Sequence, residues 1–196
     1  MLIDTHCHLS FGAFDDSWRE AVRQAREKDI KIIVPGAARA TSEKAITIAQ
    51  EDGVFASIGL HPAHVADEEF DASWFREQAK NPNVVAIGEC GVDHYHIGEE
   101  RKEEALEKQE LLLREHLEIA RENNLPVILH SRDGKVESSG AAYERLIRVV
   151  REFGYFRCVK HCFSSNWEMA KQLLDLGLML SFTGMITFKN ASNDLL

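Results

Sequence analysis

The sequence predicts a parallel α/β barrel of the TIM type, and three observations lead there. Short β-branched runs alternate with amphipathic stretches along the whole chain. Four of the apolar runs close on a histidine or a glutamate. No supersecondary repeat, low-complexity tract or Pro/Ser-rich linker divides the 196 residues, which read as a single domain, 1–196.

The strand runs are 2–6, 31–34, 54–59, 84–88, 127–130, 156–161 and 178–182, and the helical stretches between them are 15–28, 42–51, 72–79, 102–123, 141–153 and 167–175. In the longest helix Leu106, Leu113, Leu117 and Ala120 recur at spacings of seven, four and three, which leaves Glu and Lys for the outer face. Ala45, Ile48 and Ala49 make a similar stripe after Ser42, which reads as an N-cap. The charge run 99–110 reads as the solvated start of the long helix. Alternating strands and helices imply a parallel sheet covered on both faces.

An open doubly wound sheet fits that alternation as well as a barrel does, and the polar strand ends discriminate. The first run ends in His6-Cys7-His8, and on an extended strand His6 and His8 project to the same side. Two close imidazoles make a half-site for a divalent metal. The later runs deliver Glu89, His130 and His161. A barrel gathers such ends at its mouth, whereas an open sheet spreads them along an edge. This constellation is expected of a metallohydrolase. Seven strand runs are present where such a barrel uses eight and about 250 residues. Ser192–Leu196 reads like a helix just beginning, so the final strand and helices are expected to be missing.

An apolar content of 44% supports a substantial core. The net charge of −9 argues against a protein that coats nucleic acid through a broad basic face, yet it leaves a nuclease open, because bound cations can neutralise phosphate locally. No run is apolar enough to span a bilayer, and Asp4 and His6 interrupt any signal-peptide core, so a cytoplasmic location is expected. Cys7, Cys90, Cys158 and Cys162 read as reduced, mostly buried residues.

In order, the motifs are Asp4-Thr5-His6-Cys7-His8, Gly59-Leu60-His61-Pro62, Gly88-Glu89-Cys90-Gly91-Val92-Asp93, His130-Ser131-Arg132-Asp133 and His161-Cys162-Phe163-Ser164. Together they closely resemble the TatD family of metal-dependent deoxyribonucleases, within the amidohydrolase superfamily, over the whole chain. The resemblance implies two divalent ions (Mg, Mn or Zn), one held by His6 and His8, the second by His130 and His161, with Glu89 bridging. It implies hydrolysis of DNA phosphodiesters, exonuclease-like, at single strands or 3′ ends. Glu89 and His61 are then the catalytic candidates, His61 contacting the scissile phosphate or the attacking water, or serving only as a turn histidine.

Arg132 and Asp93 are the substrate-binding candidates. Arg132 suits a bidentate phosphate clamp, or an ion pair with Asp133 or Glu137; Asp93 suits holding a ligand, orienting water or holding a further metal. His64, His94, His96 and His116 carry no strong claim, His116 being structural or exposed. The family's further metal-binding aspartate, in a Thr-Asp-x-Pro context, has no counterpart, since Asp194 has different surroundings. Two other readings stay open: an amidohydrolase-type deacylase or lactonase, and a catalytically impaired, truncated metal-binding remnant. Self-association through open barrel edges is also expected.

Overall fold

Seven parallel strands lie side by side in chain order, each joined to the next by a helix, and together they form an open half-barrel. The computed structural model describes residues 2–97, 102–134 and 140–189. The elements are β1 (Leu2–Asp4), α1 (Trp18–Glu27), β2 (Ile30–Pro35), α2 (Arg39–Ile48), β3 (Val54–Ile58), α3 (Ala72–Gln78), β4 (Val84–Asp93), α4 (Lys102–Asn123), β5 (Val127–Arg132), α5 (Ala141–Phe153), β6 (Cys158–Lys160), α6 (Trp167–Asp175) and β7 (Met179–Leu180). Ser192–Leu196 with Asp194, Glu137 and the first positions of the 99–110 charge run lie outside the described residues.

The core lies between the sheet and the helices. Strand residues Val34, Ile58, Val92, Val127 and Leu129 are buried with Ile48, Phe75, Leu113, Leu117, Leu146 and Val150 of the helices. Each fully buried Leu or Ile stabilises the fold by about 1.5–3 kcal/mol. Helix starts are fixed by side chains that satisfy free N–H groups. Asp71 Oδ1 accepts from Trp74 N at 3.0 Å, and Asn166 Oδ1 accepts from Met169 N at 3.1 Å. Asp133 accepts from Gly140 N and Ala142 N at 3.0 and 2.9 Å, so it caps α5 and is not Arg132's partner in an ion pair.

Several local expectations are corrected. Ser42 is not a cap: α2 begins at Arg39, Ser42 is buried inside it, and Thr41 Oγ1 accepts from Ala37 N and Ala38 N at 2.8 and 2.9 Å. The charge run is solvated on one face only, because Leu106 and Gln109 turn inward while Glu103 and Glu110 pair with Arg145. β1 stops at Asp4, short of His6, and is exposed, with Leu2 at 69% and Ile3 at 51%. The cause is its position, since among the described residues β1 pairs with β2 alone. Among the described residues β7 likewise pairs with β6 alone, and Met179 of β7 and the nearby Phe182 are exposed.

β4 runs to Asp93, so Glu89 sits mid-strand and not at a strand end. There the pairing slips: Ile87 faces Val127 but Cys90 faces Leu129, three steps of β4 against two of β5. Such a bulge re-aims a side chain, and the residue it carries here is Glu89. Gly91 lets the strands stay close past the bulge. It lies at φ +150°, and a Cβ there would stand 1.9 Å from the His130 carbonyl oxygen. Only glycine fits that approach.

Candidate metal centre

Glu89 is a buried carboxylate, 3% exposed, that the β4 bulge sets among five imidazoles from four segments of chain. His161 Nε2 lies 2.6 Å and His130 Nδ1 3.1 Å from its Oε1, with His61 Nε2 at 3.8 Å. On the other side His6 Nε2 and His8 Nε2 lie 3.3 and 3.8 Å from Oε2, and 3.1 Å from each other. The four predicted ligand histidines thus converge with His61 on one carboxylate. His6 and His8 reach it from the loop after β1, not by strand alternation; Cys7 N donates to Ile33 O at 3.0 Å and keeps that loop running along β2. The His6 and His161 rings stack at 3.9 Å, and His161 also approaches His130 at 3.5 Å, so His161 stands between the two ends of the cluster.

Among the described residues two groupings bring three ligand-type atoms within 4.8 Å of one another: His6, Glu89 and His161, and His61, Glu89 and His130. Tautomers separate their members. His61 Nδ1 accepts from Ala63 N at 3.1 Å, and an N–H can only donate, so a neutral His61 ring holds its proton on Nε2. Burial lowers the His61 pKa to about 3, which keeps the ring neutral. It offers the centre an N–H donor and not a lone pair. His130 is the reverse case. Its Nε2 lies 3.0 Å from Asp93 Oδ2, which leaves Nδ1 to face Glu89.

Asp93 is fully buried and also takes His96: Nδ1 lies 2.9 Å from Oδ2, and His96 N donates to Oδ1 at 2.9 Å. Burial pushes the Asp93 carboxyl up, and the hydrogen bonds from His130 and His96 more than reverse it, leaving it well below the usual range. This geometry favours the ligand-holding alternative for Asp93. His96, which had no strong claim, shares the carboxylate that orients His130. His116 is structural and buried, its Nε2 accepting from Leu60 N at 3.0 Å. Arg132 is exposed at the mouth, its guanidinium 3.7 Å above the Tyr95 ring. His64 is packed near His61, ring centroids 6.0 Å apart.

The donor set fits divalent cations. Burial raises the Glu89 carboxyl, but the His130, His161 and His6 rings crowded around it hold it well below its ordinary value, so it is an anion. Burial pushes the His161 pKa down to about 4 and lowers that of His8, so both rings are neutral with lone pairs to give. Neutral imidazoles and a carboxylate are the ligands expected for Zn, Mn or related ions. Among the described residues the buried Nδ1 atoms of His6, His8 and His161 make no hydrogen bond, and ring packing orients these imidazoles instead: His6 stacks on His161 and His8 on Phe11 at 4.4 Å. The four cysteines are free, and Cys90 and Cys158 are buried.

Sequence reasoning missed Gln109, Tyr95 and the role of His96. Gln109 carried a readable signal: with Leu106 and Leu113 it continues the buried stripe of α4, where a polar residue needs a partner.

Fold and centre together define a parallel (β/α) barrel protein with a histidine–carboxylate centre of the kind that holds divalent ions. The model of the TatD-related DNase family matches residues 3–195, and the chain belongs to that family. The metal-dependent hydrolase YabD of Bacillus subtilis is 36% identical across 97% of this chain and 72% of its own length. The metal-dependent hydrolase YcfH of Escherichia coli K12 is 32% identical over 97% of this chain and 69% of its own. The crystal structure of the TatD homolog YjjV from the same organism superposes with a TM-score of 0.80 at 30% identity, covering 97% of this chain and 71% of that one. A phosphotriesterase homology protein of E. coli shares the fold alone, at TM-score 0.61 and 15% identity. Among the described residues no helix is long and apolar enough to cross a membrane.

Proposed function

We propose that this chain hydrolyses phosphodiester bonds of DNA, at single strands or 3′ ends, using two divalent cations held by His6, His8, Glu89, His130 and His161. The observation that carries the reading is the convergence of these imidazoles on one buried carboxylate, from both of its oxygens. Two cations held on such a carboxylate would supply Lewis acidity to a phosphate and lower the pKa of a bound water. The rest is done by the chain. Glu89 fixes the spacing of the two halves, and Asp93 holds His130 with Nδ1 inward. The Nε2–H of His61 points into the centre, where it donates to a non-bridging phosphate oxygen as charge develops there.

Arg132, held over the Tyr95 ring, binds the next phosphate of the strand at the mouth. The family's name supports DNA as the substrate class. The exposed edges of β1 and β7 support self-association through backbone pairing. The test is cleavage of 3′- and 5′-labelled single-stranded oligonucleotides by metal-stripped protein, with and without added Mg or Mn. Nucleotide release that appears only with the metal is expected. Intact oligonucleotides alongside rapid hydrolysis of lactones or acyl esters would replace this reading with a deacylase.

A further inference from the structure

Gln109 projects from α4 into the space between the His61 loop and the end of β4, and is only 1% exposed. Its Oε1 accepts from Asp93 N at 2.9 Å, while Nε2 donates to Pro62 O at 3.0 Å and to Asp93 O at 3.1 Å. A backbone N–H only donates and a carbonyl only accepts, so these partners dictate which way round the amide sits. Flipping it would set donor against donor and acceptor against two acceptors. The side chain is therefore locked.

What it locks matters. Pro62 follows His61 directly, and Asp93 is the residue whose side chain holds His130. Gln109 thus ties the backbone of the His61 loop to the backbone of the residue that orients His130, without itself touching Glu89. Further along α4, His116 accepts from Leu60 N on the other side of His61 and donates from Nδ1 to Leu112 O at 2.6 Å. Lys108 Nζ donates to Val65 O. Three side chains of one helix hold Leu60–Val65, and only Gln109 reaches across to β4.

We infer that Gln109 is a positioning residue that sets the His61 donor and the His130 lone pair at one fixed spacing about Glu89, coupling phosphate contact to occupancy of the His130 half of the centre. The inference rests on the two-cation reading above. Partners that orient a ligand from outside typically carry about 10–100-fold in metal affinity when removed.

The test uses cobalt(II) as the metal probe and inorganic phosphate as the ligand probe. Cobalt stoichiometry and visible absorption are followed as metal-stripped protein is titrated, and phosphate is then added to the loaded protein. In Gln109→Leu one of the two cobalt ions should bind about 10–100-fold more weakly while the other is retained. The phosphate-induced spectral change should weaken in parallel. Leu113→Ala, a cavity in the same helix, controls for lost stability and should keep both ions and the phosphate response. Should Gln109→Leu fail to fold, Gln109→Met, closer in length and shape, is measured in the same way. Wild-type cobalt and phosphate affinities in the Gln109 variant would overturn the inference, as would equal losses in Leu113→Ala. A wild-type chain that takes up fewer than two ions would instead sink the two-cation reading, before any variant is made.

Discussion

His130 faces Asp93 through Nε2 at 3.0 Å, and that one bond decides which of its nitrogens is left for a cation. With the proton on Nε2, the Nδ1 lone pair points at Glu89. Replacing Asp93 by Ala should free the ring and weaken metal binding at the His130 half by about 10–100-fold, leaving the His6–His8 half near native affinity. His96→Ala should cause a smaller loss of the same kind, because His96 bonds the same carboxylate. Titration of metal-stripped variants with Mn by calorimetry measures both, and equal losses at the two halves would contradict the pairing.

His61 and Arg132 should separate in kinetics. His61 presents a donor to the reacting phosphate, so His61→Ala should lower kcat by roughly a hundredfold, as loss of one such donor typically does. Arg132 is exposed, packs on Tyr95 and meets substrate away from the reacting phosphate in this scheme, so Arg132→Ala should raise KM for oligonucleotides by about tenfold. Neither change should alter metal stoichiometry. Loss of bound metal in His61→Ala would show that His61 is a ligand after all.

Much of the centre was legible because its motifs are short. Asp-Thr-His-Cys-His and the His-Ser-Arg tripeptide place their ligands within a few residues of a strand, so a barrel mouth brings them together whatever the local details. The details were decided by tertiary contacts. β1 stops before His6 because the described sheet gives it a neighbour on one side only. Glu89 is aimed by a register slip between β4 and β5, which no local pattern announces. His96 and Asp93 are near neighbours in sequence, but their joint hold on His130 depends on β5 arriving beside them. Ser42 looked like a cap because Ser favours that place, yet Thr41 reaches the free N–H groups first.

Buried His116 makes a pH prediction. Its pKa falls to about 4 in the folded chain because burial penalises the charged ring, against about 6.5 when unfolded. The unfolded state takes up the proton first as pH falls. Stability from this group is therefore complete above pH 6.5 and is lost progressively toward pH 4, by on the order of 3 kcal/mol. His116→Gln should flatten the stability–pH curve of metal-free protein in that window by about that amount. Urea unfolding at pH 7 and pH 4.5 measures it, and an unchanged slope would assign the acid sensitivity elsewhere.

Among the described residues β1 pairs with β2 alone, and its Ile3 is exposed. A charge there should block edge pairing between copies. Ile3→Lys is expected to shift sedimentation from associated species toward monomer without loss of helical circular dichroism. An Ile3→Lys chain with the native sedimentation profile would place any association on another surface.

The most direct measurement counts divalent ions on the native chain and on Glu89→Ala. Glu89 offers one oxygen to each half of the centre, so it should serve both ions. Two Mn ions per native chain are expected, with both bound at least about tenfold more weakly in the variant. A variant that keeps both ions at native affinity would contradict the shared-carboxylate centre outright.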